Sequence, residues 1–354
     1  MYSVYNSLFS SFGVGIGKVA FLFVMSQFGK IVLDILIGFI YPKCDRKLAF
    51  SFMCLCRIAA IVIWMTNPSY FMLCISMFLV GIHMSGFYHH FEGYLYDLTK
   101  ANSKLKYEDV LGRYYSVMNI GVLFANIAIS FDRFEISTIL IFQLILSISA
   151  FALSALCLKS SKIIDSNTNN NLSPLKLIKL CISGDKINSL LILAISEALF
   201  MNLTNMSSSI LSAFGNFTYV ARVMLVIAFI KIPLNFFAGR LKISNPVYFN
   251  IYAILLCIPF FVFFESLGHI GFGIYLILYS IGIIHIIGVF QKSFQPIERM
   301  GAISFGTIGI SLITILFDIS IGFLGAKSGV IFNMSAACIA MIIIEKRRVK
   351  HLVA

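Results

Sequence analysis

The chain has 354 residues, of which 59% are apolar and 12% charged, with a mean hydropathy of +0.94. A soluble domain carries roughly twice that share of charge, so a water-facing globular surface is excluded and a polytopic membrane protein is indicated. The formal charge of +12 does not point to nucleic acid. Most basic residues sit in short gaps between apolar runs, where they set topology, and no basic stripe with interleaved aromatics lies outside them.

A helix needs about 20 apolar residues to cross a hydrocarbon layer of ~30 Å. Residues 3–16 are apolar but too short to span, and they lack a signal-peptide cleavage pattern. They read as a short interfacial helix or as the stub of a truncated first helix. Eleven spans follow, at about 17–41, 48–66, 70–96, 111–131, 136–158, 187–207, 216–239, 246–265, 268–290, 301–323 and 328–345. Each is expected to be helical, because lipid leaves the backbone no other hydrogen-bond partner. Strand-like alternation is absent, which excludes a barrel.

The gap at 159–186 divides the chain. Its polar run Ser166-Asn-Thr-Asn-Asn-Asn-Leu-Ser-Pro174 reads as a linker, followed by a short basic amphipathic stretch, Leu175 to Ile182. The expected organisation is an N-terminal bundle at 1–158, the linker at 159–186, a six-helix bundle at 187–345 and a basic tail at 346–354. With the N-terminal stub counted as the first helix, both bundles start their fifth helix with Arg, Gly and Ser, at Leu111-Gly-Arg-Tyr-Tyr-Ser116 and Glu298-Arg-Met-Gly-Ala-Ile-Ser304. That correspondence suggests two six-helix repeats, a common transporter architecture.

Assigning alternate gaps to one side puts twenty Lys and Arg residues there, against two, Arg133 and Lys327, on the other. By the positive-inside rule the first side and the C-terminus are expected in the cytosol, at the cytoplasmic membrane. The eight cysteines show no C-x-x-C or Cys/His spacing, so neither a metal site nor a disulfide framework is indicated. Soluble-enzyme motifs fail as well. Gly13-Val-Gly-Ile-Gly-Lys18 lacks the Ser/Thr and the spacing of a phosphate loop, and no cofactor is expected.

Two segments resemble the major facilitator superfamily. Gly38-Phe-Ile-Tyr-Pro-Lys-Cys-Asp-Arg-Lys47 is similar to the family signature between the second and third helices, with Gly38, Arg46 and Lys47 in place. Pro42 replaces the signature Asp, and Asp45 replaces its second Gly. Glu92-Gly-Tyr-Leu-Tyr-Asp97 resembles a fourth-helix pattern of bacterial members, and Gly112-Arg113 follows as it does there. The resemblance implies an all-α fold of two pseudo-symmetric bundles and alternating-access transport of a small molecule. It also implies a cytosolic gate built from Gly38, Asp45, Arg46, Lys47, Asp97, Gly112 and Arg113, with Arg46 and Asp97 as the surviving latch pair. Gly121-Val-Leu-Phe-Ala-Asn-Ile-Ala departs from the Gly-rich antiporter motif.

Ionised groups at membrane depth cost about 2.5–3.5 kcal/mol each on insertion scales, so each invites a functional reading. His83, His89, His90 and Glu92 form the densest cluster, with His89 and Glu92 one turn apart. Glu197 and Lys231 lie mid-span and can offset each other. These six are the candidate substrate and proton pathway, with structural pairing as the alternative reading. Lys30 and Asp34, at i and i+4, are expected to neutralise one another. The expected partners are a small-molecule substrate, membrane lipids and protons, and the expected state is a monomer. The competing readings are a membrane enzyme acting on a lipid-linked substrate, with His89, His90 and Glu92 as its chemistry, and a transport-inactive relative.

Overall fold

The computed structural model describes residues 8–9, 12–14, 16–37, 46–86, 90–101, 105–130, 135–157, 178–179, 181–205, 217–262, 268–294 and 296–353. Among them twelve helices form and no strand. They are α1 (Ile16–Ile35), α2 (Arg46–Met65), α3 (Tyr70–Ser85), α4 (Phe91–Ala101), α5 (Tyr107–Ser130) and α6 (Ile136–Cys157) in the first half. The second half holds α7 (Asp185–Asn205), α8 (Phe217–Ala238), α9 (Pro246–Val262), α10 (Gly268–Lys292), α11 (Pro296–Leu324) and α12 (Ala326–Val353). Six helices (α2, α6, α7, α10, α11 and α12) are individually long and apolar enough to cross a membrane, and α3 and α9 are shorter apolar helices. The helix ends carrying most basic residues, among them Lys47, Lys106, Lys186, Arg240 and Lys292, define what we call the basic face.

Local chemistry explains many of the boundaries. Ser69 caps α3 by accepting from the Met72 amide. Asn245 caps α9 by accepting from the Val247 and Tyr248 amides at 2.9 and 3.1 Å, and Pro246 occupies the first turn, where its missing N–H costs nothing. Gly325, at φ +80°, takes the left-handed conformation that ends α11 and reverses the chain into α12. α11 begins five residues before the expected span and α12 runs on through Val353, because a helix continues past the hydrocarbon wherever its backbone bonds are kept.

Within the expected third span α3 ends at Ser85 and α4 begins at Phe91; Gly86 and His90 are π-helical, and residues 87–89 between them lie outside the described residues. Gly86 packs on α2, where a Cβ would collide with the Met53 sulfur. Asp34 of α1 ties the two helices by accepting from Ser85 Oγ at 2.8 Å and pairing with His90 Nε2 at 2.9 Å.

In the first half α3 packs on α1 and α2, and α2 packs on α6. α1 and α3 cross in near backbone contact, where a Cβ at Gly29 would strike the Phe78 carbonyl and one at Gly81 the Ser26 carbonyl. Leu8 and Phe9 are buried in this half's core, with Phe9 edge-on to Trp64 at 6.5 Å. The second half packs α7, α11 and α12 together and α10 against α7, α8 and α9. The two halves meet along α5–α8 and α1–α11. Phe142, Leu146, Leu156, Phe229 and Phe323 face outward, while Lys30, Asp34, Arg57 and Glu92 are each at most 3% exposed. Polar groups inside and apolar groups outside suit a lipid solvent.

Candidate functional site

The polar centre lies where the halves meet. Glu92, in the first turn of α4, accepts a short hydrogen bond from the Tyr115 hydroxyl of α5, and Tyr107 donates to its main-chain carbonyl at 3.3 Å. Glu197 projects from α7 and is 5% exposed. Tyr115 lies within electrostatic reach of both Glu92 and Glu197, and so does Tyr279 of α10. The two carboxylates therefore approach a shared region from opposite halves.

Lys231 of α8 is buried within electrostatic reach of Glu197. Its ammonium stands 5.2 Å from the Phe200 ring centroid, and Phe200 stacks on Tyr279 at 4.4 Å. A cation over an aromatic face gains from the ring quadrupole, most where water is excluded. Beside Glu92 a small cavity, with room for about one water, is lined by Gln291 of α10, Thr307 of α11 and apolar neighbours that include Leu193, Phe290 and Ile303.

The histidine cluster separates. His83 bonds the Met53 carbonyl at 3.2 Å in the α2–α3 contact, and Arg57 is its charged neighbour. His90 turns to Asp34, whereas Glu92 turns to Tyr115. His89 lies outside the described residues. The expected Lys30–Asp34 partnership is widened: Asp34 also accepts from Ser85 and pairs with His90. Lys30 has Asp34 as its strongest charged neighbour and lies within electrostatic reach of Glu197 and Asp318 as well.

Of the gate residues, Gly38 and Asp45 fall outside the described residues, as do the side chains of Arg46 and Asp97. Lys47 is half-buried at the start of α2. Gly112 sits at the α5–α8 crossing, where a Cβ would collide with the Asn235 carbonyl. Arg113 is exposed, with its guanidinium 5.6 Å from the Phe236 ring centroid.

An inter-half ion pair on the basic face is one the motifs did not indicate. Lys292, at the end of α10, bonds Glu108 in the first turn of α5 at 2.5 Å. Burial pushes the Glu108 carboxyl up, but the Lys292 hydrogen bond and charge outweigh it and hold the group below its ordinary 4.5. Gly239 packs against the Glu108 backbone, and Ser116 donates to the Ile232 carbonyl at 2.9 Å. Within the second half, Lys186 ties α7 to Glu298 of α11 at 2.8 Å. Only the acidic first turn of α5 was visible in the sequence as a hint, because partners 184 residues apart leave no local pattern.

Among the described residues no group of three or more His, Cys, Asp or Glu side chains could hold a metal ion. No protein-family model matches the chain, and no curated protein matches it in sequence. Solved structures do. The human organic anion transporter MFSD10 (TETRAN) aligns over 96% of this chain and 88% of its own, with a TM-score of 0.59 and 14% identity. A bacterial homologue of the iron transporter ferroportin, crystallised in an outward-facing state, aligns over 99% and 96%, with a TM-score of 0.67 and 14% identity. At that identity the likeness is one of fold. The chain is a multi-pass membrane protein with the all-α major facilitator fold that the sequence resemblance implied.

Proposed function

We propose that the chain is a secondary transporter that moves a small molecule across the cytoplasmic membrane by alternating access, driven by protons in the direction of export. The observation that supports this reading is the approach of Glu92 and Glu197 from opposite halves to Tyr115 and Tyr279. Rocking one half against the other changes the surroundings of both carboxylates together, which is what coupling of proton binding to conformation requires. In this reading the basic face is cytosolic and carries the C-terminus, and the structure is closed there by Glu108–Lys292 and the α5–α8 contact. The protein works as a monomer in this account, and Glu92, Glu197 and Lys231 form the substrate and proton site. The organic anions and iron named for the two structural relatives supply the first cargoes to try.

The test uses the full chain in proteoliposomes with two spin-label pairs. Leu105→Cys with Arg240→Cys reports the basic face, and Phe21→Cys with Phe323→Cys reports the opposite face. Acidification is expected to move the two distances in opposite senses, with Glu92→Gln and Glu197→Gln each suppressing the response. Distances that change together, or stay fixed across pH with both a fluorescent organic anion and iron present, overturn alternating access. A response that survives both substitutions overturns the proton assignment.

A further inference from the structure

A third buried carboxylate lies away from Glu92 and Glu197. Asp318 of α11 is 2% exposed, and its Oδ1 accepts from Asn202 of α7 at 2.7 Å. Asn202 is held in turn by Asn333 of α12 at 3.1 Å, and Ser320 bonds Asn333 at 2.6 Å. This chain of amides orients one carboxylate oxygen and leaves the other, Oδ2, buried with no hydrogen-bond partner. Such an orphaned acceptor calls for an occupant.

The charges around it come from both halves. The charged group within electrostatic reach of Asp318 is Lys30 of α1, across the α1–α11 contact. Lys30 is itself 3% exposed and lies within reach of Asp34 on its own helix and Glu197 of α7. Asp34 also has an unpartnered buried oxygen, Oδ2. One buried ammonium thus stands among three carboxylates, two of which belong to the other half. α4 contributes Glu92 on the basic-face side, and the group α12 brings to the network is the neutral Asn333.

Asp318 also ends a polar stripe. Ser304, Thr307, Ser311, Thr314 and Asp318 follow helical spacing along one side of α11, each at most 2% exposed. The fourteen helical steps from Ser304 to Asp318 cover about 21 Å at 1.5 Å per residue. Thr307 and Thr314 bond back to their own helix, but Ser304 and Ser311 have no partner for their hydroxyls. At its other end Thr307 lines the cavity beside Glu92 and Gln291, whose Oε1 is likewise unpartnered. The stripe joins Asp318 to the Glu92 region through a helix otherwise apolar enough to cross a membrane.

We propose that Asp318 Oδ2 is a proton-binding site, with Lys30 as its exchangeable counter-ion across the α1–α11 seam. A proton from the aqueous phase adds to Oδ2 and neutralises Asp318. Lys30 stays an ammonium throughout and shifts its attraction to Asp34 and Glu197. The electrostatic tie between α1 and α11 is present when Asp318 is ionised and lost when it is protonated. The site deepens the transporter reading and rests on it for the conformational consequence, though not for the proton binding.

Two readouts on the full chain in lipid nanodiscs separate those parts. Infrared difference titration is expected to show a carboxylic-acid C=O band that grows as pH falls and is missing in Asp318→Asn. Asp318→Glu retains the band at a shifted frequency and serves if the Asn variant fails to fold. In Lys30→Gln the band's midpoint moves to higher pH by about one unit or more, since an opposite charge favours the ionised form. A band unchanged in Asp318→Asn, or a midpoint unmoved in Lys30→Gln, overturns the proposal. So does a response to sodium at constant pH in place of protons. The Phe21/Phe323 label pair is expected to widen with the same midpoint. If the band titrates as described while no label pair moves, the proton site stands and the alternating-access reading falls.

Discussion

The two seams between the halves are built from opposite materials. Along α5–α8 the helices approach until glycine is required at Gly112 and Gly239, and the ion pair, Glu108–Lys292, sits at the rim where Lys292 is 59% exposed. Along α1–α11 the buried depth itself is charged, with Lys30, Asp34 and Asp318 beside a stripe of hydroxyls. A close-packed seam resists volume changes and holds geometry. A polar seam with unpartnered acceptors is sensitive to protons and counter-ions. One fold thus sets a close-packed contact and a charged one between the same two halves.

The largest break in this contrast is expected from Asp34→Ala. It leaves His90 and Ser85 without their acceptor, at about 1–3 kcal/mol for each group left unsatisfied. A clear fall in melting temperature in detergent checks it, and Asp34→Asn, which keeps an acceptor, is expected to lose less. A melt for Asp34→Ala matching wild type means that the packing of Ser85 and His90 on α1 does not depend on this carboxylate.

Next in size is Gly112→Leu, where overpacking costs about 1–3 kcal/mol. The natural control lies on the same helix: a Cβ at Gly121 meets nothing within 4 Å, so Gly121→Leu is expected to leave stability near wild type. Equal effects of the two substitutions erase the claim that α5–α8 is packed to the backbone near the basic face.

The smallest effect belongs to Glu108→Gln, because an exposed ion pair contributes about 0.2–1 kcal/mol. Its pH dependence is the sharper signature. The folded-state value of Glu108 is lowered, so the pair contributes fully above 4.5 and the contribution disappears as pH falls through the lowered value. The stability difference between wild type and Glu108→Gln should therefore vanish in acid. A constant difference across pH removes Glu108 as the source.

Much of the helical scaffold was legible in the sequence. The expected spans 136–158 and 268–290 became α6, Ile136–Cys157, and α10, Gly268–Lys292. Hydropathy sums local transfer free energies, and those decide where a chain enters lipid. The tie from Asp34 to Ser85 and His90 escaped the same reading, because its ends are 51 and 56 residues apart in the chain and hydropathy carries no partner information. The candidate site was partly legible for a related reason. Glu92, Glu197 and Lys231 stood out as costly charges, but an i,i+3 or i,i+4 spacing says only which side chains share a helix face. It does not say which face meets which neighbour, so His83, His90 and Glu92 took three different partners.

Sequence alone determined that the chain lives in a membrane, that it crosses as helices, and that its charges are too expensive to lie there without partners. These follow from composition and from the span a bilayer imposes. Tertiary structure alone decided the partnerships: Asp34 with His90, Glu92 with Tyr115, Glu108 with Lys292, and Asp318 with Asn202. Each joins residues far apart in the chain, and each depends on the rotation and closeness of packed helices, which no sum over local residues contains.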